Sequence, residues 1–315
     1  SDVYKRQFQY QAYLNRKRSY RDLPLRYNET STLFRNEASG EMHGLIRVRQ
    51  FTISEGHLMC TPEQLEDEFR KCLELAIFML KTLGLYEDVS YRFSQWDPND
   101  RAKYIGTEEQ WNEAQGLMER ILNHLEIPYE IGIGEAAFYG PKLDIQIKNV
   151  YGKEDTLITI QIDQMLAEQF GMVYTDKDGK QKTPCIIHRT SIGCYERTLA
   201  LLIEKYAGAF PPWLAPVQVK LLPIADRHLD YLYEVKKQLE DKGFRCEVDD
   251  RSEKIGYKIR EAQLEKVPYM VVVGDKDIEN NTISIRKRKE GDLGAMTVEQ
   301  FLEKIVPDRD NKVID

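Results

Sequence analysis

The sequence predicts an α/β protein with two domains: an antiparallel sheet covered by helices, followed by a smaller α/β domain. Its 315 residues correspond to about two domains at roughly 150 residues each. Before residue 210, amphipathic helical patterns are mixed with pairs of strand-like runs separated by turns. Three prolines then interrupt the chain within 210–216, and beyond them strand and helix patterns alternate.

The composition excludes several classes of protein. Hydrophobic residues make up 42% and charged residues 31%, as in a globular chain and unlike a disordered, collagen-like or coiled-coil one. No apolar run reaches the ~18 residues of a membrane span, and the N-terminus lacks the apolar stretch of a secretory signal. The formal charge of −7 predicts that any contact with nucleic acid depends on local basic patches.

The cysteines indicate a reduced, cytoplasmic protein, and nothing in the sequence predicts a membrane partner. They are odd in number and lack CxxC spacing, which argues against a disulfide framework. The five residues are Cys60, Cys72, Cys185, Cys194 and Cys246.

Residues 1–7 resemble an in-frame translation of a sequencing-library adapter and are predicted to be non-native. On that interpretation the native protein begins further upstream. The predicted boundaries assign 8–209 to the first domain, 210–216 to a linker and 217–315 to the second domain.

Capping boxes that begin with threonine mark three helix N-termini, at Thr61, Thr107 and Thr297. Helical spacing of apolar residues extends the first two helices to about residues 83 and 125. A further helix over about 193–207 is expected to bury Leu199, Leu202 and Ile203.

Two pairs of antiparallel strands complete the first domain, and a β-α-β-α-β order predicts a largely parallel sheet in the second. The first-domain pairs are 33–37 with 46–51, and 143–148 with 157–162. The second-domain strands are 217–223, 244–248, 269–273 and 282–286, with helices over 227–242 and about 255–266.

Arg35, Arg47 and Arg49 accompany Glu37 on or beside the strands that flank the loop 38–45. Arginines grouped beside a carboxylate are suited to polyphosphate binding. Exposed strand arginines that pair with acidic neighbours are an equally compatible interpretation.

Several segments resemble the motifs of class II aminoacyl-tRNA synthetases and, within that class, those of the threonyl-tRNA synthetase family. The resemblance covers nearly the whole chain from Phe8 onward. It implies a class II synthetase catalytic domain over 8–209 that lacks motif 1, then an anticodon-binding domain over 217–315. The matching segments are 18–26, 34–41, 44–52, 138–142, 188–197 and 249–256.

The resemblance implies catalytic roles for Arg35, Lys142 and Arg197. Arg35 would hold the α-phosphate of ATP and the amino acid carboxylate, and Arg47 would hold the γ-phosphate. Phe51 and Arg197 would cover the two faces of the adenine. The implied ATP-binding residues are Arg35, Glu37, Arg47, Phe51 and Arg197, with Mg²⁺ accompanying ATP.

The resemblance also implies a zinc ion that binds threonine and is held by one cysteine and two histidines. His57 and His188 occupy the histidine positions, and the cysteine position falls near residue 6, where Arg6 stands. Cys60 and Cys194 are possible substitutes, or else small thiols with no metal role. The implied amino-acid-binding residues are Glu55, Tyr139, Gln161 and Cys194. Departures from the family pattern at the threonine site are Gln9, Ile53, Glu55 and Cys194.

In the second domain, the resemblance implies that Lys254, Asp277 and Arg286 contact an anticodon, although the basic run 286–289 is also compatible with a solvated strand end. The expected partners are tRNA(Thr), ATP and threonine, and the full-length protein is expected to be a homodimer. Two alternatives stay open: a catalytically silent, tRNA-binding paralogue, and another class IIa synthetase specific for serine or proline.

Overall fold

The computed structural model describes the backbone of residues 2–314 and the side chains of residues 8–314. Contacts divide the chain into two units, 1–201 and 202–315, which are described separately below. The side chains of the predicted adapter segment 1–7, including Arg6, lie outside the described residues. No helix in the described part is long and apolar enough to cross a lipid bilayer.

The strands of the first unit alternate polar and apolar residues, and this alternation lets them form a sheet with one face on the core. Within the described residues the sheet has seven strands in the order β1-β2-β9-β6-β5-β3-β4, antiparallel except between β3 and β4. A separate hairpin joins β7 and β8. In chain order the strands are β1 (Leu25–Phe34), β2 (Gln50–Cys60), β3 (Val89–Gln95), β4 (Tyr129–Ile133), β5 (Lys142–Lys148), β6 (Glu154–Asp163), β7 (Tyr174–Thr175), β8 (Gln181–Lys182) and β9 (Cys185–Cys194).

Helices cover this sheet, and two of them begin at the predicted capping boxes. The Thr107 side chain accepts a hydrogen bond from the Gln110 backbone N–H, and the Gln110 side chain caps Thr107 in return. The box at Thr61 begins a 3₁₀ turn, Pro62–Gln64, which continues into the α-helix. The helices are α1 (Asp2–Leu14), α2 (Leu65–Thr82), α3 (Glu108–His124), α4 (Leu166–Gln169) and α5 (Tyr195–Tyr206).

Two of the predictions for the first unit need correction. The expected antiparallel pair on either side of the loop is confirmed, but its bounds 33–37 and 46–51 are wrong, because β1 ends at Phe34 and β2 begins at Gln50. The paired strands extend away from the loop instead of towards its centre, since the alternating residues lie at 25–34 and 50–60. In α5, Leu202 is buried, but Leu199 and Ile203 are 46% and 44% exposed, contrary to prediction.

The second unit has a five-stranded sheet over its described residues, in the order β11-β10-β12-β13-β14. β10 pairs in parallel with β11 and β12, whereas β13 and β14 are antiparallel, so the predicted parallel character holds for one half only. The α/β class predicted for the whole chain is confirmed. The elements are β10 (Val219–Pro223), α6 (Leu229–Asp241), β11 (Cys246–Val248), α7 (Ile255–Leu264), β12 (Tyr269–Val273), α8 (Asp275–Asn280), β13 (Ile283–Lys287), β14 (Gly291–Met296) and α9 (Val298–Asp310).

The proline-rich segment 210–216 is bound to the second unit by two arginines. The Arg245 guanidinium donates to the carbonyl oxygens of Trp213 and Ala215, at 3.0 and 2.7 Å. Arg288 donates to the Phe210 carbonyl at 2.7 Å. Because proline lacks a backbone N–H, the carbonyls of this segment depend on such side-chain donors.

Candidate active site

A cavity of about 460 Å³ lies over one face of the seven-stranded sheet. All ten residues expected to act in catalysis or to bind ATP or the amino acid line it, although they come from five separate stretches of sequence. These residues are Arg35, Glu37, Arg47, Phe51, Glu55, Tyr139, Lys142, Gln161, Cys194 and Arg197.

Strand register explains why the amino-acid end of the cavity is polar. Residues directly opposite each other on neighbouring strands place their side chains on the same face of a sheet. Lys142 of β5 lies opposite Gln161 of β6, Gln161 lies opposite His188 of β9, and His188 lies opposite His57 of β2. A polar row therefore crosses four adjacent strands.

The loop between β1 and β2 brings its charged residues together at the other end of the cavity. The Arg47 guanidinium donates to the Glu37 carboxylate at 3.0 Å and lies 3.5 Å from Glu41. The Arg35 guanidinium lies over the Phe51 ring, 5.1 Å from its centroid, and Phe51 is buried. The ring expected to stack on adenine therefore carries a cation on one face in this structure.

The residues at the start of α5 tie this loop to the sheet. Arg197 donates to the carbonyl oxygens of Ile46 and Thr156, at 3.1 and 2.6 Å. Glu196 accepts the Thr52 backbone N–H with both carboxylate oxygens, at 2.9 and 3.0 Å. Burial alone would raise the pKa of Glu196, but these hydrogen bonds lower it below its ordinary value. Glu196 is thus an ionised anchor of the loop.

At the amino-acid end, Tyr139 donates a hydrogen bond to the Gln161 side chain, and its ring lies 5.2 Å from that of His188. The Lys142 ammonium lies 2.6 Å from the buried Asp144 carboxylate. The Cys194 thiol donates to Glu196 at 3.2 Å, and burial raises its pKa. These side chains enclose a small polar space bounded by aromatic rings.

Two glycines allow the backbones around the cavity to approach closely. A Cβ on Gly140 would lie 2.1 Å from the Ile162 carbonyl oxygen, and one on Gly193 would lie 2.0 Å from that of Leu157. Gly193 also has a φ of +74°, in the left-handed region that favours glycine. Any other residue would push strand β6 away from the cavity.

His57 and His188 form a buried pair at one end of this polar row, with ring centroids 4.7 Å apart. The Asp163 carboxylate lies 2.8 Å from Nε2 of His188 and accepts the backbone N–H groups of Met165 and Leu166, each at 2.9 Å. A carboxylate on the far nitrogen of a ligand histidine is the usual outer partner in zinc sites.

This donor set is incomplete for zinc. Zinc sites in proteins use at least three protein ligands. No cluster of three or more His, Cys, Asp or Glu side chains suited to a metal ion occurs among the residues that the structure describes. The two cysteines considered as substitutes lie elsewhere: Cys60 is fully buried, and Cys194 faces Glu196.

In the second unit, the three predicted anticodon residues lie in different surroundings. Lys254 is exposed at the start of α7. Asp277 accepts the Gly274 N–H at 3.0 Å and the Ser284 hydroxyl at 2.9 Å, so it also caps α8. Arg286 lies 3.5 Å from Asp292 and lines a cavity of about 350 Å³ with Met270 and the rest of the basic run.

Sequence reasoning missed several residues that build the site, including Ser94, Asp144, Thr159 and Asp163. Each lies on a strand or at its end, and each meets its partners through residues distant in the sequence. The only signal was the period-two placement of Asp144 after Lys142.

Comparison with known proteins supports the family resemblance that the sequence motifs indicate. Residues 5–206 match the family model described as tRNA synthetase class II core domain (G, H, P, S and T), and 218–307 match that of an anticodon binding domain. A threonine–tRNA ligase of Clostridium perfringens (strain SM101 / Type A) is 62% identical over 95% of this chain and 46% of that protein. The corresponding ligase of Geobacillus kaustophilus is 44% identical over 94% of this chain and 45% of that protein. The chain thus spans about half the length of these curated relatives.

A solved structure, the RNA binding domain of threonyl-tRNA synthetase from Cryptosporidium parvum Iowa II, superimposes with a TM-score of 0.86 at 33% identity. The superimposed region covers 94% of this chain and 73% of the Cryptosporidium chain. The similarity therefore extends over both structural units, in sequence as well as in fold. From the matched core, the matched anticodon-binding domain and these relatives, the chain belongs to the threonyl-tRNA synthetase family of class II synthetases.

Proposed function

We propose that this chain carries the catalytic core of a threonine–tRNA ligase, which activates threonine with ATP and transfers it to the 3′ end of tRNA(Thr). One observation carries the proposal. A single cavity joins a cationic end, suited to a polyphosphate, to a polar end enclosed by aromatic rings and suited to a small amino acid. We propose domain boundaries of 8–209, 210–216 and 217–315 for this arrangement.

The chemistry proposed for this cavity is adenylation. The threonine carboxylate oxygen attacks the α-phosphorus of ATP, forming a new O–P bond. The bond from that phosphorus to the bridging oxygen breaks, and diphosphate leaves. Arg35, Lys142 and Arg197 are the cations available to neutralise the charge that develops. Mg²⁺ is proposed to enter bound to ATP, where it would neutralise phosphate charge.

At the polar end, Glu55, Tyr139, Gln161 and Cys194 are proposed to contact threonine. Hydrogen-bonding groups that meet the substrate hydroxyl would discriminate against valine, because valine would leave them unpaired. His57 and His188 would supply the two nitrogen ligands of the family's zinc ion. Since the described donor set is incomplete, no step of the mechanism proposed here passes through that metal.

In the second unit, Lys254, Asp277 and Arg286 are proposed to contact the anticodon of tRNA(Thr). An anticodon-binding family match over 218–307 supports this role. The full-length protein is proposed to act as a homodimer in the cytoplasm. In support of that location, the five described cysteines are all unpaired with one another, as expected in a reducing compartment.

The test is ATP–diphosphate exchange measured on the full-length protein with threonine, serine and proline in parallel, because this chain, whose described zinc ligands are incomplete, is expected to be weakly active or inactive. Exchange with threonine alone supports the proposal, and exchange with serine or proline assigns the core to a neighbouring specificity. No exchange with any of the three, in a folded chain that still binds tRNA(Thr), would identify a silent paralogue. Repeating the measurement with a chelator tests whether a metal ion contributes to the exchange.

A further inference from the structure

A buried carboxylate lies beneath the lysine of the cavity. The Asp144 side chain is 1% exposed and accepts three hydrogen bonds. Its Oδ2 lies 2.6 Å from Lys142 Nζ and 2.7 Å from the Ser94 hydroxyl, and its Oδ1 lies 2.7 Å from the Thr159 hydroxyl. The side chain of Lys142 is 19% exposed and lines the cavity.

Strand register brings these groups together. Lys142 and Asp144 are two residues apart on β5 and therefore share one face. Ser94 of β3 lies opposite Lys142, and Thr159 of β6 lies opposite Asp144. The arrangement spans three central strands, so it does not depend on a mobile loop.

The chemistry of the three partners requires an ionised acceptor. An ammonium group has only donors, and both hydroxyls donate here. An ionised carboxylate satisfies all three, whereas an isosteric amide would place N–H groups against a donor. A buried carboxylate with no cation nearby would be costly, and Lys142 supplies that cation.

We propose that Asp144 is a positioning residue that fixes the Lys142 ammonium at the end of the polar row that faces the cavity. One N–H of the ammonium is held by Asp144, and the other two remain available to an anionic group in the cavity. The contact between Asp144 and Lys142 does not depend on whether the chain catalyses adenylation. The consequence for adenylation rests on the proposed function above.

The decisive measurement is the acetylation rate of Lys142 by acetic anhydride as a function of pH, followed by peptide mass spectrometry on the full chain. Only the neutral amine reacts, so the profile reports its titration. Loss of the carboxylate releases the ammonium from its hydrogen bond and favours the amine form that the reagent attacks. In Asp144→Asn we therefore expect Lys142 to be acetylated several-fold faster than in the parent chain at the same pH. An unchanged profile overturns the proposal.

Two further variants keep the test decisive if Asp144→Asn folds poorly. Asp144→Glu retains the carboxylate and should leave the Lys142 profile close to that of the parent chain. Ser94→Ala removes a hydroxyl that shares the charge on Oδ2, so Asp144 should hold the Lys142 ammonium at least as firmly and acetylation should be no faster than in the parent chain. A shift to lower pH in either variant contradicts the proposal. The matched control is Asp176→Asn, which breaks the distant Asp176–Lys182 pair and should not alter Lys142.

The charged groups that share the cavity are unchanged in all these variants, so their influence on Lys142 cancels in the comparison. These groups are Arg35, Glu37, Arg47, Glu55, Glu135 and Arg197.

Diphosphate exchange separates the proposal about Asp144 from the proposed function of the chain. A shifted Lys142 profile in a chain without exchange supports the positioning role and contradicts the proposed function. With exchange present, Asp144→Asn should lower kcat more than it raises KM.

Discussion

The imidazole rings of His57 and His188 lie nearly perpendicular, at 87°, with centroids 4.7 Å apart, although 131 residues separate them along the chain. They meet because β2 and β9 are neighbours and the two residues are directly opposite in register. Asp163, at the end of β6, holds the far side of the His188 ring. The pair is thus a fixed feature of the sheet.

We expect this chain to bind zinc weakly and Arg6→Cys to increase the bound zinc towards one equivalent. Two imidazoles lack a third ligand, and a thiolate near position 6 would supply both a ligand and a negative charge. Metal content of the purified proteins provides the measurement. Gln11→Cys, which adds an exposed thiol to the same helix, is the control. One equivalent of zinc in the unmodified chain would show that the third ligand has been misassigned.

Arg35→Ala should reduce threonine-dependent diphosphate exchange by about 100-fold or more, the usual effect of removing one transition-state donor. The fold should survive, because Arg35 is exposed. Circular dichroism checks the fold, and Arg120→Ala, an exposed arginine of α3, is the control for loss of a cation. Near-normal exchange in Arg35→Ala would contradict the proposed ATP site.

Arg286→Ala should weaken the binding of tRNA(Thr) more than that of other tRNAs. Contacts with bases give selective losses, whereas contacts with phosphates weaken all tRNAs alike and reduce the salt dependence. Binding constants for cognate and non-cognate tRNA at two salt concentrations distinguish these cases. Equal losses would assign Arg286 to the phosphate backbone.

Glu68→Gln should destabilise the first unit by about 1.5–3 kcal/mol at pH 7, the range for a hydrogen bond to a charged group. The Glu68 side chain is buried and pairs bidentately with Arg26, with both distances 2.7 Å. Burial raises the pKa of Glu68, but the hydrogen bonds from Arg26 and Lys71 outweigh it and lower the pKa overall.

Because the folded pKa is lowered, this stabilisation is present above the unfolded value, about 4.3, and is lost as pH falls through the folded pKa. The stability difference between the parent chain and Glu68→Gln should therefore shrink in acid. Urea denaturation at several pH values measures it. Glu74→Gln, which breaks an exposed pair with Arg70, should cost at most about 0.5 kcal/mol. A constant difference down to pH 3 would refute the charged pair.

Iodoacetamide should modify Cys194 before Cys72 and Cys185, and ATP with threonine should slow that reaction. Burial raises the pKa of Cys72 to about 12 and that of Cys185 to about 11, and both thiols are enclosed. Cys194 is only half-buried and lines the cavity. Peptide mass spectrometry gives the order of labelling. Earlier labelling of Cys72, or no protection by the substrates, would place Cys194 outside the site.

Local patterns in the sequence were sufficient to predict most helices and the class of fold. A capping box is a short-range hydrogen-bond pattern, so Thr61, Thr107 and Thr297 could be recognised without knowing what the helices pack against. The strand pairs around the turn near Gly152 were predictable for the same reason. The candidate site residues came from the family resemblance, and residue spacing added only the arginine cluster.

The tertiary structure alone decided which side chains meet. Strand alternation is visible in a sequence, but the order of strands in the sheet is not, because pairing joins segments far apart in the chain. That order brings Ser94 and Thr159 to Asp144, and Asp163 to His188. Sequence specifies local hydrogen bonding, whereas the position of a buried charge depends on the non-local packing that must neutralise it.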